Sequence, residues 1–144
     1  MTLEERRARI KDAGLRVTAP RLAVLDVLHA HPHATADMVV TAVEEKLGSI
    51  SKQAIYDALT AFTQAGLLRR QVVEGGGARY EIERGDNHHH LWCESCGKYQ
   101  DVECALRQPP CLYPVDDHGF AIRMADIVYR GICPDCQKAA EHNS

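Results

Sequence analysis

Apolar positions along the first half of the chain recur at helical spacing, and each run opens on a side chain that can cap a helix. Thr2 with Glu5 has the spacing of a capping box, and Gly14 closes the segment that follows. Thr18 precedes a second run with Pro20 in its first turn and Leu22, Leu25 and Leu28 as an inward stripe. His31-Pro32-His33-Ala34 is a break. Thr35 then caps a third run, with Val39, Val40 and Val43 inward, that ends near Gly48. Ser51 caps a fourth that places Ile55, Leu59 and Phe62 on one face and stops at Gly66. Two strand-like pieces, Leu67–Val73 and Ala78–Ile82, flank Glu74-Gly75-Gly76-Gly77 and predict a hairpin. Helices followed by a hairpin are the pattern of a winged helix-turn-helix, with the helix from Ser51 to Ala65 as its recognition helix.

The pattern then changes. Glu83-Arg84-Gly85-Asp86-Asn87 is polar and turn-rich, which divides the chain into a winged-helix domain at 1–83, a hinge at 84–87 and a second domain at 88–144. Strand-like pieces there are His90–Cys93, Tyr99–Val102, Phe120–Arg123 and Ile127–Gly131. Pro109, Pro110 and Pro114 keep any helix between Cys104 and Pro114 short. The overall expectation is an α+β chain.

Composition narrows the function. The apolar fraction is 45% and the charged fraction 26%, as in globular domains. No apolar run is long enough to span a bilayer, and the N-terminus is a charged helix start instead of a signal peptide, so the expectation is a cytoplasmic protein without a membrane partner. Residues 1–83 carry 11 Lys/Arg against 11 Asp/Glu, whereas residues 84–144 carry 6 against 9. A bulk basic signature for nucleic-acid binding is absent, and local patches must serve.

The chemistry lies in cysteine and histidine. Cys93-x-x-Cys96 and Cys133-x-x-Cys136 are two knuckles, separated by 36 residues, that supply four thiolates to a tetrahedral structural zinc. In a reducing compartment paired thiols favour metal over disulfide. His88 and His90 alternate in a strand and share a face, while His89 points away. Asp101 falls on the next strand, Glu81 in the wing strand and His33 in the interhelix break. A site on His33, Glu81, His88, His90 and Asp101 would join both domains. Its mixed N and O donors suit iron(II), manganese(II) or zinc. The competing reading is a surface histidine run with incidental metal affinity. An enzyme of the zinc deaminase type needs H-x-E and an open zinc position, and neither is present. For DNA, Ser51, Lys52, Gln53 and Tyr56 start the recognition helix, and Arg16, Arg21 and Arg79 are candidate phosphate contacts.

These motifs resemble the ferric uptake regulator (Fur) family. The likeness rests on Gly14-Leu15-Arg16-Val17-Thr18-Ala19-Pro20-Arg21, His33-Ala34-Thr35-Ala36-Asp37, Ser51-x-x-Ala54-Ile55-Tyr56-x-x-Leu59, Arg79-Tyr80-Glu81, His88-x-His90-x-x-Cys93-x-x-Cys96-Gly97 and Tyr129-x-Gly131-x-Cys133-x-x-Cys136. The resemblance implies a homodimeric repressor of palindromic operator DNA. It implies an N-terminal winged helix, a C-terminal α/β dimerisation domain, structural zinc on the four cysteines and regulatory Fe(II) or Mn(II) on His33, Glu81, His88, His90 and Asp101. Asp86-Asn87-His88-His89-His90, the Cys104…Cys111 insert and Ser51-x-Gln53-Ala54-x-Tyr56-Asp57 resemble the FurA/CatR-like, PerR-like branch, which implies release by hydrogen peroxide and catalase-peroxidase targets. Two positions depart from the pattern. Asp57 stands where many members have Arg, and Glu81 where peroxide sensors commonly have Asp. The family's additional site is poorly matched at Gln108 and Ala125, leaving His89, Glu103 and His118 as its candidates. An iron- or zinc-uptake regulator, and a thiol sensor on Cys104 and Cys111, are the alternatives within the DNA-binding class; a zinc-dependent hydrolase is the alternative outside it.

Overall fold

The computed structural model describes residues 1–73, 77–84, 88–104, 112–123 and 125–142. The chain forms two compact units, Met1–Arg84 and Gly85–Ser144. Both are α+β. The expected Gly-rich turn at 74–76, positions 85–87 of the expected hinge, and Gln108 and Cys111 lie outside the described residues.

In the first unit, α1 (Leu3–Asp12), α2 (Ala19–Ala30), α3 (Ala36–Leu47) and α4 (Lys52–Gln64) each begin where a hydroxyl satisfies an otherwise orphaned amide. The Thr2 side chain accepts from the Glu5 amide while Glu5 reaches back to the Thr2 amide, a complete capping box. Thr18, Thr35 and Ser51 accept from the amides of Arg21, Met38 and Ala54 in the same way. The helices bury a common core in which Ile10, Val24, Leu25, Val39, Val43, Ile55 and Phe62 are fully enclosed. Leu22, expected in the inward stripe of α2, is only partly buried; the stripe is carried by Val24, Leu25, Val27 and Leu28. Strands β2 (Leu68–Val73) and β3 (Gly77–Ile82) pair antiparallel as the wing. A two-residue strand absent from the sequence expectation, β1 (Ala34–Thr35), adds to the far side of β3 and gives the order β1-β3-β2.

In the second unit, β4 (His88–Cys93) is the central strand, with β5 (Tyr99–Glu103) antiparallel on one side and β6 (Val128–Gly131) parallel on the other. The expected strand at Phe120–Arg123 does not form. Among the described residues these positions pair with neither outer strand of the sheet β5-β4-β6, and alternation alone does not supply a partner. Phe120 instead ends a turn, its amide donating to the Asp117 carbonyl at 2.9 Å, and its ring is exposed. A helix that the apolar pattern did not announce, α5 (Pro134–His142), begins inside the second cysteine knuckle.

Candidate metal centres and nucleic-acid interface

The parallel pairing of β4 with β6 sets Cys93 opposite Gly131, so the second knuckle begins two residues beyond the end of the first strand's ladder. The turn after Cys93 closes with the Gly97 amide donating to the Cys93 carbonyl at 2.9 Å. Gly97 sits at φ +81°, in the left-handed region where a side chain is strained. The ligand atoms of Cys93, Cys96, Cys133 and Cys136 all lie within 4.8 Å of one another. Cys96 Sγ and Cys133 Sγ are 3.8 Å apart, close to the separation of about 3.8 Å that tetrahedral Zn–S bonds of ~2.3 Å require.

Electrostatics prepares this cluster for a dication. The backbone amides of Cys133 and Cys96 both donate to Cys93 Sγ at 3.4 Å. These donors, that of Cys133 first, bring the Cys93 thiol down to about 6. At Cys136 the Ser95 hydroxyl pulls the other way from the result: shared protons with Cys133, Cys96 and Cys93, with burial, push its thiol up to about 12. Four thiols this close cannot all ionise beside each other at neutral pH, and a divalent cation removes that repulsion by replacing the protons. The donor set therefore fits zinc.

The imidazole and carboxylate positions form two groups, a pair in the first unit and a trio in the second. In the first unit, His33 Nε2 lies 3.1 Å from Glu81 Oε2. His33 is held there by β3: the His33 amide donates to the Tyr80 carbonyl at 3.0 Å, and Arg79 Nη1 donates to the His33 carbonyl at 3.1 Å. These bonds hold a non-glycine residue at φ 71°, a conformation that needs such support. In the second unit, antiparallel register puts His90 opposite Asp101, with Nε2 3.3 Å from Oδ1. His88, two residues back on the same face, is 3.9 Å from the same oxygen. Tyr99 stacks on the His90 ring at 4.8 Å between centroids and fixes its plane. His89 faces the other side, opposite Val102. Imidazole paired with carboxylate in each unit is a donor set suited to iron(II), manganese(II) or zinc.

The exposed start of α4 carries Lys52, Gln53, Tyr56 and Asp57. The Ser51 hydroxyl is committed to capping, accepting from the Ala54 amide at 3.1 Å. Gln53 Nε2 donates to Asp57 Oδ1 at 2.8 Å. The Tyr56 hydroxyl donates to Asp37 Oδ1 at 3.3 Å. Desolvation, and then the Asp37 carboxylate, raise the Tyr56 phenol above its ordinary value, so it keeps its proton. Arg16 is exposed, and its carbonyl accepts from Arg21 Nη1 at 2.7 Å. Arg79, expected to act from the wing, is half-buried and turned toward His33. Asp37, Tyr99 and Ser95 were missed in the sequence. Only the Gln53–Asp57 pair carried a usable signal, the i,i+4 spacing at which helical side chains meet.

Comparison with known proteins gives a consistent result. The ferric uptake regulator family model matches residues 12–129. The chain is 49% identical over 127 residues to the transcriptional regulator FurA of Mycobacterium tuberculosis, spanning 88% of this chain and 86% of that protein. It is 50% identical over 120 residues to ferric uptake regulation protein 1 of Mycolicibacterium fortuitum, spanning 83% and 74%. Among solved structures, that of the Pseudomonas aeruginosa ferric uptake regulator with manganese superposes with a TM-score of 0.70 at 28% identity, covering 90% of this chain and 98% of that one.

Proposed function

The chain belongs to the ferric uptake regulator family of metal-responsive transcription regulators, and from that premise we propose that it is a homodimeric repressor of palindromic operator DNA, loaded with iron(II) or manganese(II) and released by hydrogen peroxide. The carrying observation is the separation of donor types. Sulfur donors form one closed cluster, whereas imidazole and carboxylate donors stand apart from it, His33 with Glu81 in the first unit and His88 and His90 with Asp101 in the second. Zinc on Cys93, Cys96, Cys133 and Cys136 is the structural ion of this reading. The regulatory ion is shared by His33, Glu81, His88, His90 and Asp101, so that its binding selects one arrangement of the two units. The helix α4 enters the major groove with Lys52, Gln53 and Tyr56, and Arg16 and Arg21 serve the phosphates. Arg79 contributes by holding His33.

Iron(II), held by His33, Glu81, His88, His90 and Asp101, would supply the electron that splits hydrogen peroxide, and the imidazoles of His33, His88 and His90 would be the ligand groups open to oxidation. His33 sits in a strained backbone conformation maintained by the wing, and loss of its nitrogen donor leaves the first unit with the carboxylate alone. Catalase-peroxidase genes are the target class of this reading. Glu81 favours a second reading, an iron-uptake regulator without a peroxide response, because the longer carboxylate is the residue of the family's iron sensors.

The two readings separate in one experiment. A duplex selected by the chain from a random library is bound with iron(II) or manganese(II) present, and peroxide is then added. The proposal expects release from the iron form alone, with added mass on His33, His88 or His90. An iron form that stays on DNA in peroxide overturns the peroxide response and leaves the iron-uptake reading. Release that follows thiol oxidation with unmodified histidines overturns both in favour of a cysteine sensor.

A further inference from the structure

Two carboxylates stand on the part of the first unit that is proposed to meet DNA. Asp57 is on α4 itself and Asp37 is at the start of α3, and both are exposed. For non-specific attraction to a polyanion both are liabilities, since each repels phosphate. Each also accepts a hydrogen bond from a side chain able to read bases: Gln53 Nε2 to Asp57 Oδ1 at 2.8 Å, and Tyr56 Oη to Asp37 Oδ1 at 3.3 Å.

These bonds restrict what the two side chains can offer. An ionised carboxylate accepts and never donates, so the Gln53 amide has one orientation beside Asp57: its NH2 toward the acid and its carbonyl oxygen away. One N–H and the carbonyl remain free of that bond. An adenine edge presents the complement, the N7 acceptor and the N6 amino donor. A phosphate oxygen presents acceptors only and cannot satisfy the Gln53 carbonyl. Tyr56 is restricted in the same sense. Its single hydroxyl hydrogen is directed to Asp37, which leaves the phenol oxygen as an acceptor and the ring for a thymine methyl. Both acids thus turn neighbouring side chains away from phosphate chemistry and toward base edges.

We propose that Asp57 is a specificity-determining positioning residue, which fixes the Gln53 amide for adenine readout and lowers affinity for unrelated DNA. The inference rests on the proposed role of α4 in the major groove. The test uses the full-length chain loaded with manganese(II) and a duplex selected from a random library. Affinities are measured for that duplex, for versions with single base-pair changes, and for a scrambled duplex, with D57A, Q53A and Q53A/D57A beside the parent.

D57A is expected to bind the scrambled duplex several-fold more tightly. It should lose about tenfold discrimination at one A·T position, the scale of one bidentate contact. The double variant should discriminate no worse than Q53A, because both changes remove one interaction. Alanine is a good helix former at an exposed position, and an unchanged circular dichroism spectrum confirms that the fold persists. D57A that keeps its discrimination, or that weakens on all duplexes alike, overturns the proposal. If Q53A leaves the base preference intact, the proposal fails while the DNA-binding reading stands. If the parent chain binds no duplex with any metal, both fall together.

Discussion

Cys93 is the pivot of the thiol cluster because it receives two backbone N–H bonds before any metal arrives. Its thiol, brought down to about 6, supplies the first thiolate, and the most reluctant proton belongs to Cys136. Zinc capture is therefore expected to release protons and to strengthen as pH rises through the neutral range. Cys96→Ser removes a donor without altering the backbone turn. Zinc content should fall well below one per chain, with loss of several kcal/mol of stability, read by elemental analysis and thermal unfolding; full zinc with an unshifted melting temperature would refute the closed cage. Gly97→Ala tests the turn separately. Its new Cβ meets nothing within 4 Å, so the φ of +81° alone sets the penalty, about 1–2 kcal/mol, with zinc still bound.

Among the elements, α1, α2 and α3 are tied at one point outside the core. Asp26 on α2 accepts from Arg6 on α1 and from Lys46 on α3. The hydrogen bond from Lys46, opposed by partial burial and joined by the charge of Arg6, holds its carboxyl below the usual 3.8. A carboxylate depressed in the fold stabilises it above the unfolded pKa, and that stability is lost as pH falls through the folded value. Asp26→Asn should lower stability at neutral pH by less than ~1 kcal/mol, given solvent screening. It should also flatten the acid limb of a denaturation series below about pH 4; a limb of unchanged steepness would assign the acid sensitivity elsewhere. The helices themselves were legible because Thr2, Thr18, Thr35 and Ser51 mark their starts by local chemistry. β1 was not, since Ala34 and Thr35 become a strand only by pairing with Tyr80 and Arg79, far along the chain. α5 escaped because its polar sequence buries no apolar stripe, and Phe120–Arg123 misled because alternation states which residues suit a strand, not whether an edge awaits them. The His90–Asp101 pair was legible from counting across a knuckle turn; the stacking of Tyr99 and the Asp37–Tyr56 bond depend on tertiary placement.

At the scale of the whole molecule, the second unit leaves an apolar surface uncovered. Leu91 and Tyr129 stand side by side in register across β4 and β6, and with Ile132 they are 40%, 51% and 46% exposed. An uncovered patch of large apolar side chains on a small unit is the usual mark of an interface, which fits the proposed homodimer. Tyr129→Asp is expected to shift the zinc-loaded chain from dimer to monomer in sedimentation; a variant that stays dimeric at low micromolar concentration places the interface elsewhere. The parallel register of Cys93 with Gly131 has a consequence for this unit's dynamics. One closure, bringing the end of β6 to the end of β4, serves the sheet and the thiol cluster together, so its chain entropy is spent once and the two open as one event. The Glu94 amide, bonded to the Gly131 carbonyl at 2.9 Å, sits at that junction. Its deuterium exchange should run at the rate of zinc dissociation, which makes a single backbone hydrogen a clock for the residence of the ion.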